Sequence, residues 1–297
     1  MAKSFLGFLI YSNIFIGLCA AALTAQTYLL IQPSPILWPM LVLVFSATVL
    51  VYSFHRTNLH IETIKGPRHL WHDQNTKSYF VIVAIAGALL LYSLFCIPLR
   101  LIFFLIPFGA ITLAYSYPLF NWGGKRVPLK KLPYLKAILI AVTFSSVTVL
   151  APCISSGHLY PAGLQDMGLL FFERLLFVLA ITLPFDIRDL NQDFEEGVKT
   201  IPALIGVRNT VCLSIFFLLC HSVLVSIHAF SGEILSYMEW SALLLADVIS
   251  ALVVLGVLRA RSEGYYSSVV DGTMIMQSLL VVAAHYLLLF SWLINLV

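Results

Sequence analysis

The stretch "LLFVLAITLPFDIRDLNQDFEEG", residues 175–197, passes from unbroken apolar residues into Asp186, Asp189, Asp193, Glu195 and Glu196. Its first half reads as the end of a helix that crosses a bilayer, and its second half as the boundary with water. A crossing helix needs roughly 20 predominantly apolar residues. Working outward, the chain supplies nine such runs: 5–31, 36–54, 79–97, 99–120, 134–156, 166–186, 208–231, 234–258 and 268–296. The 297 residues are 60% hydrophobic and 10% charged, whereas a soluble domain carries about a quarter charged residues. The expectation is an all-α integral membrane protein, one transmembrane domain over residues 1–297.

The basic residues test that count independently. Lys3; Arg56, Lys65, Arg68 and Lys77; Lys125, Arg126, Lys130, Lys131 and Lys136; Arg188, Lys199 and Arg208; and Arg259 and Arg261 fall at the start or in every second loop. The intervening loops have none, and only Arg100 and Arg174 break the pattern. Positive charge concentrates on the cytoplasmic side. The N-terminus is therefore expected in the cytoplasm and the C-terminus outside. The opening "MAKSFLGFLIYSNIFIGLCAAALTA" also has the ingredients of a signal peptide, but its apolar run exceeds the usual core. The five cysteines show no paired spacing and read as small apolar packing residues. A net charge of +3 is accounted for by cytoplasmic loops and gives no reason to invoke nucleic acid.

Asp186, Asp189 and Asp193 are spaced i, i+3, i+7, which puts them on one helix face. Like charges there repel by roughly a few tenths of a kcal/mol per exposed pair, and a bound cation reverses the sign. Mg²⁺ takes oxygen ligands and commonly joins one or two carboxylates to substrate phosphates. A solvated acidic cap is the plainer alternative. Asp186, directly after "LLFVLAITLPF", is expected at the membrane boundary, where ionisable groups usually face a cavity or the bundle interior. Pro184 is placed to kink the helix there, and Gly197 and Pro202 to end it soon afterwards.

"DIRDLNQDFEEGVKTIPALIG" resembles the second aspartate-rich motif of the UbiA superfamily of intramembrane prenyltransferases, with its G-x-x-T-x-P continuation at Gly197, Thr200 and Pro202. "YSYPLFNWGGKR" is similar to the family's Y-P-x-x-K-R segment, with "NWGG" inserted before Lys125 and Arg126. The resemblance implies a nine-helix UbiA-like bundle in a bacterial-type inner membrane, its active face cytoplasmic. It implies Mg²⁺ held by Asp186, Asp189 and Asp193, an isoprenoid diphosphate ionised there, and prenyl transfer to an acceptor, aromatic or otherwise. Lys125 and Arg126 would neutralise diphosphate charge, and Tyr117 would line the pocket. The first family motif, approximately N-D-x-x-D-R-x-x-D, is altered to "VYSFHRTNLHIE": Arg56 aligns, but aspartates are replaced by His55 and Leu59. Three explanations stay open. His55, Asn58, His60 and Glu62 form another ligand set; one metal suffices, with His55 and Arg56 as phosphate-binding cations; or transfer is lost and the chain holds a prenyl lipid.

Polar residues also lie deeper in the spans. Glu173 and Arg174 sit roughly three turns from Asp186 at ~1.5 Å per residue, and Glu173 is the residue expected to contact an acceptor. Asp247, Asp271, Gln277 and His285 suit either function or interhelical hydrogen bonding. His221 and His228 are expected to be packing residues. A secondary transporter is the remaining class, disfavoured because no internal repeat is visible and the polar residues cluster at helix ends.

Overall fold

A computed structural model describes residues 5–31, 36–57, 67–122, 124–155, 163–231, 234–259 and 261–294. The described residues are helical nearly throughout. Helices α1 (Phe5–Tyr11), α2 (Ile14–Leu30), α3 (Trp38–Thr57), α4 (Pro67–Gln74), α5 (Thr76–Cys96) and α6 (Leu99–Ser116) precede a small hairpin of β1 (Phe120–Trp122) and β2 (Lys125–Val127). Then come α7 (Leu135–Ser145), a π-helical turn at 146–150, α8 (Ala151–Ser155), α9 (Leu164–Arg188), α10 (Leu190–Glu195) and α11 (Ile201–Ile205). The chain closes with α12 (Val207–Ser231), α13 (Tyr237–Gly256), α14 (Glu263–Tyr265), a second π-helical turn at 266–270, and α15 (Asp271–Ile294).

Among the described residues, eight helical spans are long and apolar enough to cross a membrane, and the pair α1 and α2 makes a ninth if counted as one. That pair corrects the expected first span. The run 5–31 is not one helix; it bends by 77° between Tyr11 and Ile14. Ser12 and Asn13 interrupt the apolar run too briefly for hydropathy alone to reveal the bend. Asn13 takes a left-handed φ of 66° there, which asparagine tolerates better than branched residues do, and its amide donates to Ser53 Oγ on α3 at 3.0 Å. The fourth expected span also ends early, at Ser116, because Pro118 forces Tyr117 into extended backbone.

Packed neighbours run α5–α3–α2–α15–α13–α12–α9–α7, with α6 meeting α8 and the turn before α7. Two apolar clusters fill the interior. One gathers Tyr28, Met40, Leu170 and Val225; the other gathers Ile16, Phe177, Val211 and Val254. In each of α9, α12 and α13 they occupy opposite halves, so they stack along the bundle axis. The acidic residues cap the second cluster. Close approach fixes α2 against α3: a Cβ on Gly17 would stand 2.8 Å from Val49 Cγ2.

Candidate functional site

The acidic segment is built by backbone devices that its sequence spells out. Pro184 sits inside α9 without breaking it, although its missing N–H leaves one helical hydrogen bond unmade. The axis is interrupted five residues later, at Asp189, yet Asp189 N donates to Phe185 O at 2.9 Å and Asp193 N to Asp189 O at 2.8 Å. Helical bonding therefore carries Asp186, Asp189 and Asp193 round on one face into α10. Gly197, at φ 71°, then closes α10: Val198 N donates to Asp193 O at 2.7 Å and Gly197 N to Phe194 O at 3.1 Å. This is the paired bonding of a Schellman motif, which needs a left-handed residue at that place. Thr200 precedes α11 and Pro202 lies in its first turn, where a missing N–H costs nothing. The spacing G-x-x-T-x-P is thus a stop followed by a start.

The three carboxylates converge on one cation, the ammonium of Lys136 in the first turn of α7. Its Nζ stands 3.4 Å from Asp186 Oδ1, 3.3 Å from Asp189 Oδ2 and 3.1 Å from Asp193 Oδ2. Arg188 grips Asp189 from the other side, Nε donating to Oδ1 at 2.7 Å and an Nη to Oδ2 at 3.1 Å. Its guanidinium also lies 4.9 Å from the Phe185 ring centroid and 6.0 Å from that of Tyr266, a cation–π seat. Burial acts to raise the Asp189 carboxyl, but Arg188 and Lys136 outweigh it and hold that group below the ordinary aspartate range. For Asp193 burial wins over Lys136 and the carboxyl is pushed up.

The donor set suits a hard cation: three carboxylates, with Asp186 only 2% exposed and its Oδ1 lacking a hydrogen-bond partner among the described residues. These residues fit Mg²⁺ in chemistry, and the cation that occupies their convergence here is an ammonium. Among the described residues no group of three or more His, Cys, Asp or Glu side chains stands at metal-holding spacing. Asp186, Asp189 and Asp193 are the residues that would hold Mg²⁺, and the ion would neutralise their charge.

The altered first motif faces the same region. His55, near the end of α3, hydrogen-bonds through Nδ1 to Ser116 Oγ at the end of α6, and its ring centroid is 5.1 Å from that of Tyr115. Tyr115 in turn lies within electrostatic range of Lys136 and all three aspartates. Tyr117 packs on Phe54 at 5.2 Å between centroids and is 41% exposed. The inserted "NWGG" is the end of the hairpin: Trp122 pairs with Lys125 and Asn121 with Arg126, and Gly124 supplies the positive φ, 78°, that such turns require. Arg126 is exposed on this hairpin. Asn58, His60 and Glu62 lie outside the described residues, as do the side chains of Arg56 and Lys125.

Glu173 is not brought to this site. It accepts from His228 Nδ1 at 2.7 Å, and Asp166 stands 3.4 Å from the other ring nitrogen. Glu173 thus belongs to a buried carboxylate–imidazole cluster roughly 20 Å along α9 from Asp186, at ~1.5 Å per residue. His221 and His228 are likewise more than packing: His221 Nδ1 lies 2.8 Å from Asp247 Oδ2, which also accepts from Ser222 at 2.6 Å. His285 meets Glu239 at 2.8 Å. Arg174 reaches Gln26 Oε1 and Leu23 O, each at 3.4 Å. Sequence reasoning missed Lys136 and Tyr115 as site residues; a lysine inside the apolar run 134–156 was the available signal for the first.

Residues 65–279 match the UbiA prenyltransferase family. Among solved structures, one described as a digeranylgeranylglyceryl phosphate synthase in membranes is 15% identical with a TM-score of 0.55, covering 94% of this chain and 95% of its own. An apo UbiA homolog from Aeropyrum pernix K1 is 16% identical with a TM-score of 0.53, covering 99% of this chain and all of its own. At such identities the likeness speaks for the fold. No curated protein sequence matches.

Proposed function

The chain belongs to the UbiA prenyltransferase family, and from that premise we propose that it ionises an isoprenoid diphosphate at the carboxylate cluster and passes the prenyl group to an acceptor. The observation that carries this is the convergence of Asp186, Asp189 and Asp193 on one cationic centre at the end of the bundle. The whole chain acts as one transmembrane domain, and the basic-residue pattern turns this end toward the cytoplasm, in a bacterial-type inner membrane.

Asp186, Asp189 and Asp193 would hold Mg²⁺, which when bound supplies charge neutralisation to the diphosphate as the allylic C–O bond breaks. Arg188 fixes Asp189 and keeps it ionised. Lys136, already beside the carboxylates, is within reach of a diphosphate oxygen. Lys125 and Arg126 on the hairpin add positive charge, and His55, where the family has an aspartate, and Arg56, which aligns with the family's arginine, offer phosphate-binding donors. Tyr115 and Tyr117 present aromatic rings at the same end. The apolar bundle interior receives the prenyl tail and excludes water from the carbocation. The electron pair of the broken C–O bond leaves with pyrophosphate, the acceptor supplies the new pair, and the proton the acceptor gives up is taken by the departing pyrophosphate or by water.

Binding of a polyprenyl diphosphate series to purified protein, with and without Mg²⁺, tests this alongside pyrophosphate release. Mg²⁺-dependent binding with release, abolished by Asp186→Asn, supports transfer chemistry. The replacement of an aspartate by His55, held by Ser116, favours one second reading, a family member that holds a prenyl lipid without turnover; it gives binding without release. Absence of Mg²⁺-dependent binding refutes both.

A further inference from the structure

Lys136 is placed against two electrostatic preferences, and the acidic cluster explains both. It is the second residue of α7, at the helix end whose dipole disfavours cations. It also lies at the start of an apolar span with its side chain only 16% exposed. The backbone makes that placement deliberate. Tyr134, just before α7, takes a left-handed φ of 61°, unusual for an aromatic residue, and its N–H donates to Lys199 O at 3.0 Å. The start of α7 is thereby tied to the segment that follows the acidic helix, so the ammonium is held in register with the carboxylates.

The contacts it makes are central and loose. Distances of 3.1, 3.3 and 3.4 Å exceed the about 2.7–2.9 Å of a strong charge-assisted bond, which Arg188 achieves with Asp189 at 2.7 Å. Asp186 Oδ1, buried and aimed at this centre, has no hydrogen-bond partner among the described residues. An oxygen so placed is incompletely satisfied by the ammonium. Three carboxylates against Lys136 and Arg188 leave a net charge of −1; without Lys136 the net is −2. The lysine therefore screens the cluster from free divalent cations while keeping its charges from repelling one another apart.

We propose that Lys136 is an exchangeable internal cation: it occupies the aspartate cluster when no substrate is present and transfers to the diphosphate when metal and diphosphate arrive together. This rests on the diphosphate reading of the site and adds a regulation to it. Metal alone competes with a tethered ammonium, whereas diphosphate gives that ammonium a new partner and releases all three carboxylates. The consequence is coupled binding, in which each of the two ligands strengthens the other.

Mn²⁺ binding to the purified full-length chain, read by electron paramagnetic resonance with and without inorganic pyrophosphate, tests it without any turnover. Wild-type protein should bind Mn²⁺ at least tenfold more tightly when pyrophosphate is present. Lys136→Met should bind Mn²⁺ alone at least tenfold more tightly than wild type, and pyrophosphate should improve it less. Lys136→Gln, polar and similar in reach, should behave as Lys136→Met does and serves if the methionine variant does not fold. Lys136→Arg should stay close to wild type. If wild type gains Mn²⁺ affinity with pyrophosphate but the folded uncharged variants bind Mn²⁺ alone no better than wild type, this inference fails and the diphosphate reading stands. If wild type binds Mn²⁺ equally with and without pyrophosphate, the exchange is refuted. If no protein binds Mn²⁺ under either condition, the diphosphate reading falls and takes this inference with it.

Discussion

Asp189→Asn and Asp193→Asn should differ in their cost to stability although both sit in the same cluster. Asp189 accepts two bonds from Arg188 at 2.7 and 3.1 Å and a third from Lys136 at 3.3 Å. Asparagine keeps one acceptor oxygen but loses the charge and the two-pronged match. Bonds to charged groups contribute about 1.5–3 kcal/mol each, and they are not additive. Breaking a fully buried ion pair costs about 3–5 kcal/mol. The Asp189 side chain is 22% exposed, so the cost falls to the bottom of that range or just below it, about 2–3 kcal/mol. Asp193 accepts a single bond from Lys136 at 3.1 Å, and its environment already disfavours the charge. Its replacement should cost about 1 kcal/mol or less, since a typical net hydrogen bond is ~1 kcal/mol. Unfolding in mixed detergent micelles, followed by tryptophan fluorescence, gives both numbers. Equal costs, or a larger cost at Asp193, would show that Arg188 does not anchor the cluster. Both variants should nonetheless lose at least tenfold in Mg²⁺-dependent diphosphate binding, about 1.4 kcal/mol, because both remove a carboxylate from the same centre.

Gly17→Ala should destabilise the chain by about 1–2 kcal/mol in the same unfolding assay, since its Cβ meets Val49 at 2.8 Å and overpacking outweighs the helix-propensity gain. Gly87→Ala, with nothing within 4 Å of the new Cβ, should be neutral or stabilising by up to ~1 kcal/mol, and the opposite order would overturn the packing argument. Glu173→Gln should cost about 1–3 kcal/mol, by weakening its bond from the buried His228, while Mg²⁺-dependent diphosphate binding stays within twofold of wild type. A tenfold loss of that binding would return Glu173 to the substrate site. His55→Asp should raise the number of Mn²⁺ ions bound with pyrophosphate from one to two, measured by titration; an unchanged count would mean that His55 does not stand in for a metal ligand.

How much of this was legible depended on whether the information was local. Apolar runs fixed by bilayer thickness gave most helices to within a few residues, because in hydrocarbon the backbone has few alternatives to internal hydrogen bonding. Gly197 and Pro202 were readable for the same reason: a left-handed stop and an N–H-free start are single-residue requirements. The break between Tyr11 and Ile14 was not, since the side chains on both sides stay apolar and the bend is secured by Asn13 on Ser53, 40 residues away. The hairpin was half legible. Gly-Gly between two short β-prone stretches is a turn signal, but against the family pattern "NWGG" reads only as an insertion.

Lys136 shows why charge is the hardest part to read in such a chain. Along the sequence it is one more basic residue near a cytoplasmic helix start, and the positive-inside pattern accounts for it fully. Its partners are 50 to 57 residues away, on another helix. Each of the buried histidines poses the same difficulty: His221 finds Asp247, His228 finds Glu173 and His285 finds Glu239 across 26, 55 and 46 residues. An ionisable group in a span has to find a partner, so its presence predicts that a partner exists without saying which one. Each histidine makes one close contact through Nδ1, at 2.7–2.8 Å, to a single carboxylate within the bundle. Asp189 has a contact as close, from Arg188 at 2.7 Å, but the ammonium shared by all three aspartates stands no closer than 3.1 Å to any of them. That difference in tightness, invisible in the sequence, is what separates a structural pair from a cluster arranged to exchange its cation.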